Sequence, residues 1–100
     1  MNKIVVLFEF EGMGAKEYDA ICEDLRKNDK LYNYNRPSHV AFERDGKWCV
    51  VDVWNSEEAM REFAESGLRP AFQKLGINPP QPVILPAYSY KGVVEELMSA

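Results

Sequence analysis

Histidine, cysteine, basic charge and long apolar runs are all scarce in this chain, and each scarcity removes a class of function. There is one histidine, His39, and two cysteines, Cys22 and Cys49. Cys22 falls on an expected helix and Cys49 on an expected strand. Neither has a Cys-x-x-Cys partner or a second ligand beside it, so no zinc or other metal site is expected. Both read as buried free thiols in a reducing compartment. The longest apolar run, Ile4 to Phe8, spans five residues and stops at Glu9. That is too short for a signal-peptide core, and no segment reaches the ~20 apolar residues that span a bilayer. A cytoplasmic protein with no membrane partner is the expectation. Basic residues number 12 against 16 acidic ones, for a net charge of -4, and they are scattered. A nucleic-acid footprint or a basic membrane-surface helix would need them clustered. Gly12 and Gly14 lack the third glycine and the Lys-Ser/Thr pair of a phosphate loop.

What remains is one domain, residues 1–100, with the pattern of a two-layer α+β fold. Lys3 to Phe10 alternates but is apolar on both faces through its middle, which predicts a central strand covered on both sides. After the turn at residues 11–14, Tyr18, Ile21, Cys22 and Leu25 form one helical stripe over residues 15–27. A stripe of this kind reads as core. Residues 28–37 make a loop longer than the usual ~2–6 residues of such connections, and it carries Tyr32 and Tyr34 as a candidate pocket lid.

Two alternating runs then flank Asp45-Gly46, a pair suited to the positive φ angles of a tight hairpin turn. Counting outwards from a two-residue loop pairs Arg44 with Lys47, Phe42 with Cys49 and His39 with Asp52. Asn55 reads as the N-cap of a second helix, with Glu58 completing a capping box. Gly67 reads as a break in that helix, and Pro70 as the start of a separate short one. Val83 to Tyr90 reads as the last strand. Pro86 cannot donate a ladder hydrogen bond, which puts this strand at an edge. The tail beyond Gly92 has Val93, Val94, Leu97 and Met98 at helical spacing.

The order β-α-β-β-α-β with right-handed crossovers is the ferredoxin-like arrangement: a four-stranded antiparallel sheet with two helices on one face. The other face is expected to carry large apolar groups, such as Trp48 and Trp54 or their alternates. A second copy of the chain is its simplest cover, giving a homodimer.

The run Trp48-Cys49-Val50-Val51-Asp52-Val53-Trp54-Asn55-Ser56-Glu57-Glu58-Ala59 resembles the strand-to-helix segment of the dimeric α+β barrel superfamily. It is most similar to proteins of the antibiotic biosynthesis monooxygenase (ABM) group. Leu68-Arg69-Pro70-Ala71-Phe72, Gly76-Ile77 and Pro82 resemble small members of the same group. The resemblance implies a homodimeric barrel with an apolar cavity in each subunit. It further implies, for some members, oxidation of aromatic molecules without metal or cofactor, so none is expected here. Haem-degrading members use an Asn on the first strand and a haem-ligating His on the second helix; this chain has neither. Trp54 is the positional match to the Trp of the cofactor-free members.

His39 and Asp52 are the candidate catalytic pair. A carboxylate opposite an imidazole fixes its tautomer and orients it as a base. The other reading is a structural cross-strand pair at the barrel interface. Trp54, Tyr32 and Tyr34 are the candidate pocket residues, with packing as the alternative for Trp54. Two functions follow: an enzyme, such as a cofactor-independent monooxygenase, acting on a small hydrophobic or aromatic molecule, or a non-catalytic ligand binder or structural homodimer. The first requires a cavity of about 300 Å³ or more reached by these side chains. Metal-chaperone and RNA-binding ferredoxin-like modules lack support in the loop cysteines and surface charge.

Overall fold

The structure, a computed structural model, describes residues 2–92. The order is β1 (Ile4–Phe10), α1 (Ala15–Lys27), β2 (Ser38–Arg44), β3 (Lys47–Trp54), α2 (Glu57–Phe63), a π-helical turn (Ala64–Leu68), α3 (Arg69–Leu75) and β4 (Val83–Pro86). The strands form one antiparallel sheet in the order β2-β3-β1-β4. The two strands that are apolar on both faces, β1 and β3, take the centre, and the proline-bearing β4 takes an edge. This is the ferredoxin-like α+β architecture.

The hairpin has the expected register. Asp45 and Gly46 adopt φ of 52° and 78°, the left-handed pair that twists with its strands. Arg44 therefore faces Lys47, and His39 faces Asp52.

Several boundaries differ from the sequence reading. The N-cap of α2 is Ser56, whose hydroxyl accepts from the Ala59 N–H at 3.1 Å. Asn55 is engaged elsewhere, since its side-chain oxygen accepts from Lys3 Nζ at 2.6 Å and its N–H donates to the Asn35 carbonyl at 2.8 Å. Gly67 does not break the helix. The chain runs on through the π-helical turn into α3. Gly67 serves close packing instead: a Cβ there would lie 3.2 Å from Leu25 Cδ2 and 3.4 Å from Lys30 Cβ. Gly76, at φ 70°, ends α3, with Ile77 N–H returning to the Phe72 carbonyl at 2.9 Å, a left-handed helix stop.

β4 ends at Pro86 rather than Tyr90. Tyr88 is exposed, while the Tyr90 hydroxyl donates to the Pro37 carbonyl at 3.5 Å. The helical spacing beyond Gly92 lies outside the described residues.

The structure decides which sheet face the helices cover. Ile4, Val6, Phe8 and Phe10 share the helix-covered face with Trp48, Val50, Asp52 and Trp54. Phe10 packs on Phe72 of α3, and Trp54 on Phe63 of α2, at ring separations of 5.9 and 5.3 Å. The tryptophans thus belong to the core layer, with Trp54 only 1% exposed. The open face carries their alternates: Val5, Leu7, Val40, Phe42, Cys49, Val51, Val53, Val83 and Leu85. His39 and Asp52 accordingly face the helices, not that open surface.

Candidate active site

The hairpin register sets the site. His39 Nδ1 lies 2.5 Å from Asp52 Oδ1, so the Nδ1–H donates to the carboxylate. The tautomer follows from this bond, because an ionised carboxylate only accepts. Nε2 is then an acceptor, and it meets the Tyr18 hydroxyl at 2.5 Å. Tyr18 comes from the first turns of α1, where the apolar stripe turns its side chain onto the sheet. Its ring lies nearly parallel to the imidazole, 9° between planes, and also packs against Trp48. The result is a three-member chain, Tyr18–His39–Asp52, running from helix to central strand.

The chain lies beside an apolar cavity of about 600 Å³, well inside the ~300–1,000 Å³ range of small-molecule sites. β1 contributes Phe8 and Phe10, α1 contributes Ile21, Cys22 and Leu25, and α3 contributes Phe72. The long loop adds Tyr32, Tyr34 and Arg36 at its open side. Asp52 is nearly buried, its side chain 8% exposed, while that of His39 is 29% exposed. The pair is therefore not sealed.

Burial pushes the Tyr18 phenol well above its usual range, helped by a hydrogen bond with the Cys22 thiol and opposed by the Arg36 charge. The Cys22 thiol is also pushed up, first by its own burial. Both groups stay protonated at neutral pH, and Cys22 is not an activated nucleophile. Among the described residues, no group of three or more His, Cys, Asp or Glu is placed to hold a metal ion.

The residues expected from sequence fall into three groups. His39 and Asp52 come together and line the cavity. Tyr32 and Tyr34 line its rim and are largely exposed. Trp54 does not line it. Its indole lies under the Arg36 guanidinium, 5.7 Å from ring centroid to Cζ, and forms part of the floor that supports the loop. Two lining residues are not evident as such from sequence. Tyr18 reads as core there, although a phenol in an otherwise apolar stripe needs a polar partner when buried. Arg36 sits in a loop with no periodicity to place it.

No family model and no curated protein matches the sequence. Solved structures do match its fold. SnoaB, a cofactor-independent oxygenase from Streptomyces nogalater, is similar in a mutant form at a TM-score of 0.65 and 14% identity, over 90% of this chain and 97% of that one. A protein of unknown function from Nitrosomonas europaea is similar at 0.66 and 13%, over 94% and 97%. A candidate antibiotic biosynthesis monooxygenase from Chloroflexus aurantiacus is similar at 0.63 and 11%, over 92% and 99%. The chain shares its fold with these proteins.

Proposed function

We propose that the chain is an ABM-like enzyme, a cofactor-independent monooxygenase, that binds a small hydrophobic aromatic molecule in its cavity and removes a proton from it so that dioxygen can react. One observation carries this reading: the Tyr18–His39–Asp52 chain ends in an apolar cavity large enough for such a molecule. The similarity in fold to a cofactor-independent oxygenase supports it.

The proton path follows from the hydrogen bonds. With its O–H donated to His39 Nε2, the Tyr18 oxygen has lone pairs left for a substrate proton. As that proton arrives, the phenol proton moves to Nε2, and the Asp52 carboxylate stabilises the imidazolium. Burial disfavours a free phenolate at Tyr18, so the two transfers are coupled. The substrate carbanion then gives electrons to dioxygen. An activated CH₂ and one O₂ become a carbonyl and one water, which balances without a bound redox group.

A specific observation favours the second reading, a non-catalytic ligand binder. Both ring nitrogens of His39 already have partners, as in a satisfied structural histidine. Under either reading the chain pairs with a second copy through its open sheet face, where Val40, Phe42, Val83 and Leu85 are exposed.

Oxygen consumption with anthrone separates the two. Its CH₂ is acidified by two aryl rings and a conjugated carbonyl. The enzyme reading expects one O₂ consumed per anthraquinone formed, abolished in His39→Gln. Anthrone that binds with no oxygen uptake above buffer supports the binder.

A further inference from the structure

Among the described residues, Arg36 is the one Lys or Arg side chain lining the cavity and has no carboxylate in ion-pair contact. The carboxylate that lines the same cavity, Asp52, is engaged by His39. Arg36 donates one side-chain hydrogen bond, from Nη2 to the Leu31 carbonyl at 2.8 Å. A guanidinium has five N–H donors, so most of its fork is unused. The fork is also held in place. Its Cζ lies 5.2 Å from the Phe63 ring centroid and 5.7 Å from that of Trp54, and its backbone N–H is tied to the Asn33 carbonyl at 3.0 Å. A planar, pre-oriented cation beside an apolar cavity is a receptor for a planar anion, because its fork matches a carboxylate through two parallel bonds and the low-dielectric walls strengthen the attraction.

We infer that the molecule held in this cavity is an aromatic carboxylate, its ring system against Phe8, Phe10 and Phe72 and its carboxylate on the free donors of Arg36. This rests on the reading that the cavity is the ligand site, and it adds the ligand's charge. Arg36 is then the specificity-determining residue, distinct from the Tyr18–His39–Asp52 chain. Its field already reaches that chain, since it opposes the burial-driven rise of both the Tyr18 phenol and the Cys22 thiol. Arg36 and Tyr18 line the same cavity.

The test is a fluorescence titration of the full chain with 1-naphthoate and with 1-naphthamide, a neutral analogue of the same shape. The expected result is naphthoate binding tighter by about tenfold or more, the scale of a charge-assisted bidentate contact, and weakening as salt rises. Arg36→Gln is expected to erase the preference, and Arg36→Lys to keep only part of it. Equal binding of the two probes by the unmodified protein overturns the anion inference and leaves the cavity reading standing. Binding of neither probe overturns both. The unmodified protein alone decides this, so a variant that fails to fold does not spoil the test.

Discussion

The Tyr18 hydroxyl lies 2.5 Å from His39 Nε2, so the chain's single histidine presents no free ring nitrogen to the cavity. Any base chemistry must pass through the tyrosine or wait for it to move. The two routes predict opposite results. In the relay, Tyr18→Phe removes the group that meets the substrate, and turnover of anthrone should fall by about 10²–10⁴, the usual weight of a positioned acid-base group. If His39 acts directly, the same substitution uncovers Nε2, and turnover should hold or rise. Initial rates of oxygen uptake for Tyr18→Phe and His39→Gln, both with unchanged circular dichroism, decide between them.

The same tyrosine sets a pH dependence. Its folded-state pKa is raised, chiefly by burial, so the folded state holds the phenol proton more firmly than the unfolded chain does. Stability from this group is fully present below the unfolded value of about 10 and is lost as pH rises through the folded value. Cys22, raised for the same reason, acts with the same sign from about pH 8.5 upwards. Thermal unfolding of the native chain should therefore fall more steeply than that of Tyr18→Phe above about pH 10. Parallel curves for the two proteins would show that Tyr18 is not shifted.

Trp54 presents a different case. It is 1% exposed and packs on Phe63 beneath Arg36. Trp54→Ala should lose about 3–5 kcal/mol of unfolding free energy, as large aromatic truncations in a core do, a large share of the ~5–15 kcal/mol that stabilises a typical domain. Trp54→Phe should keep most of that stability and retain binding of 1-naphthoate. Urea unfolding of both variants measures the difference. A Trp54→Phe protein that is as stable as the native chain yet binds no naphthoate would return Trp54 to the pocket wall.

The part of the site that was legible in the sequence follows from the regularity of strands. Asp45-Gly46 pins the turn, and the two-residue period carries the register outwards to His39 and Asp52 without further information. The same regularity could not say which sheet face the helices cover. β1 and β3 are apolar on both sides, so alternation groups Trp48 with Trp54 but leaves their side open. The packing of α1, α2 and α3 decides it, through pairs such as Phe10–Phe72 and Trp54–Phe63. Tyr18 was hidden because a phenol on an apolar stripe reads as core until its partner is known. Arg36 was hidden because residues 28–37 have no period, and their course is set by contacts such as Asn55 N–H to the Asn35 carbonyl.

The open sheet face yields the last prediction. Val40, Phe42, Val83 and Leu85 are 52%, 39%, 51% and 47% exposed, and all four point away from the helices. Apolar surface of this extent on a small chain is normally covered, and one face paired with itself makes a closed, two-fold dimer. Native mass spectrometry should give twice the 11.5 kDa chain mass. Phe42→Glu should shift that mass to the single chain, because it brings a carboxylate from each copy into an apolar interface where neither has a partner. The fold should survive, since Phe42 is already exposed on the edge strand β2, and so should 1-naphthoate binding in the cavity on the opposite face. A single-chain mass for the unmodified protein at every concentration would leave this face without a second copy, and the barrel would not form.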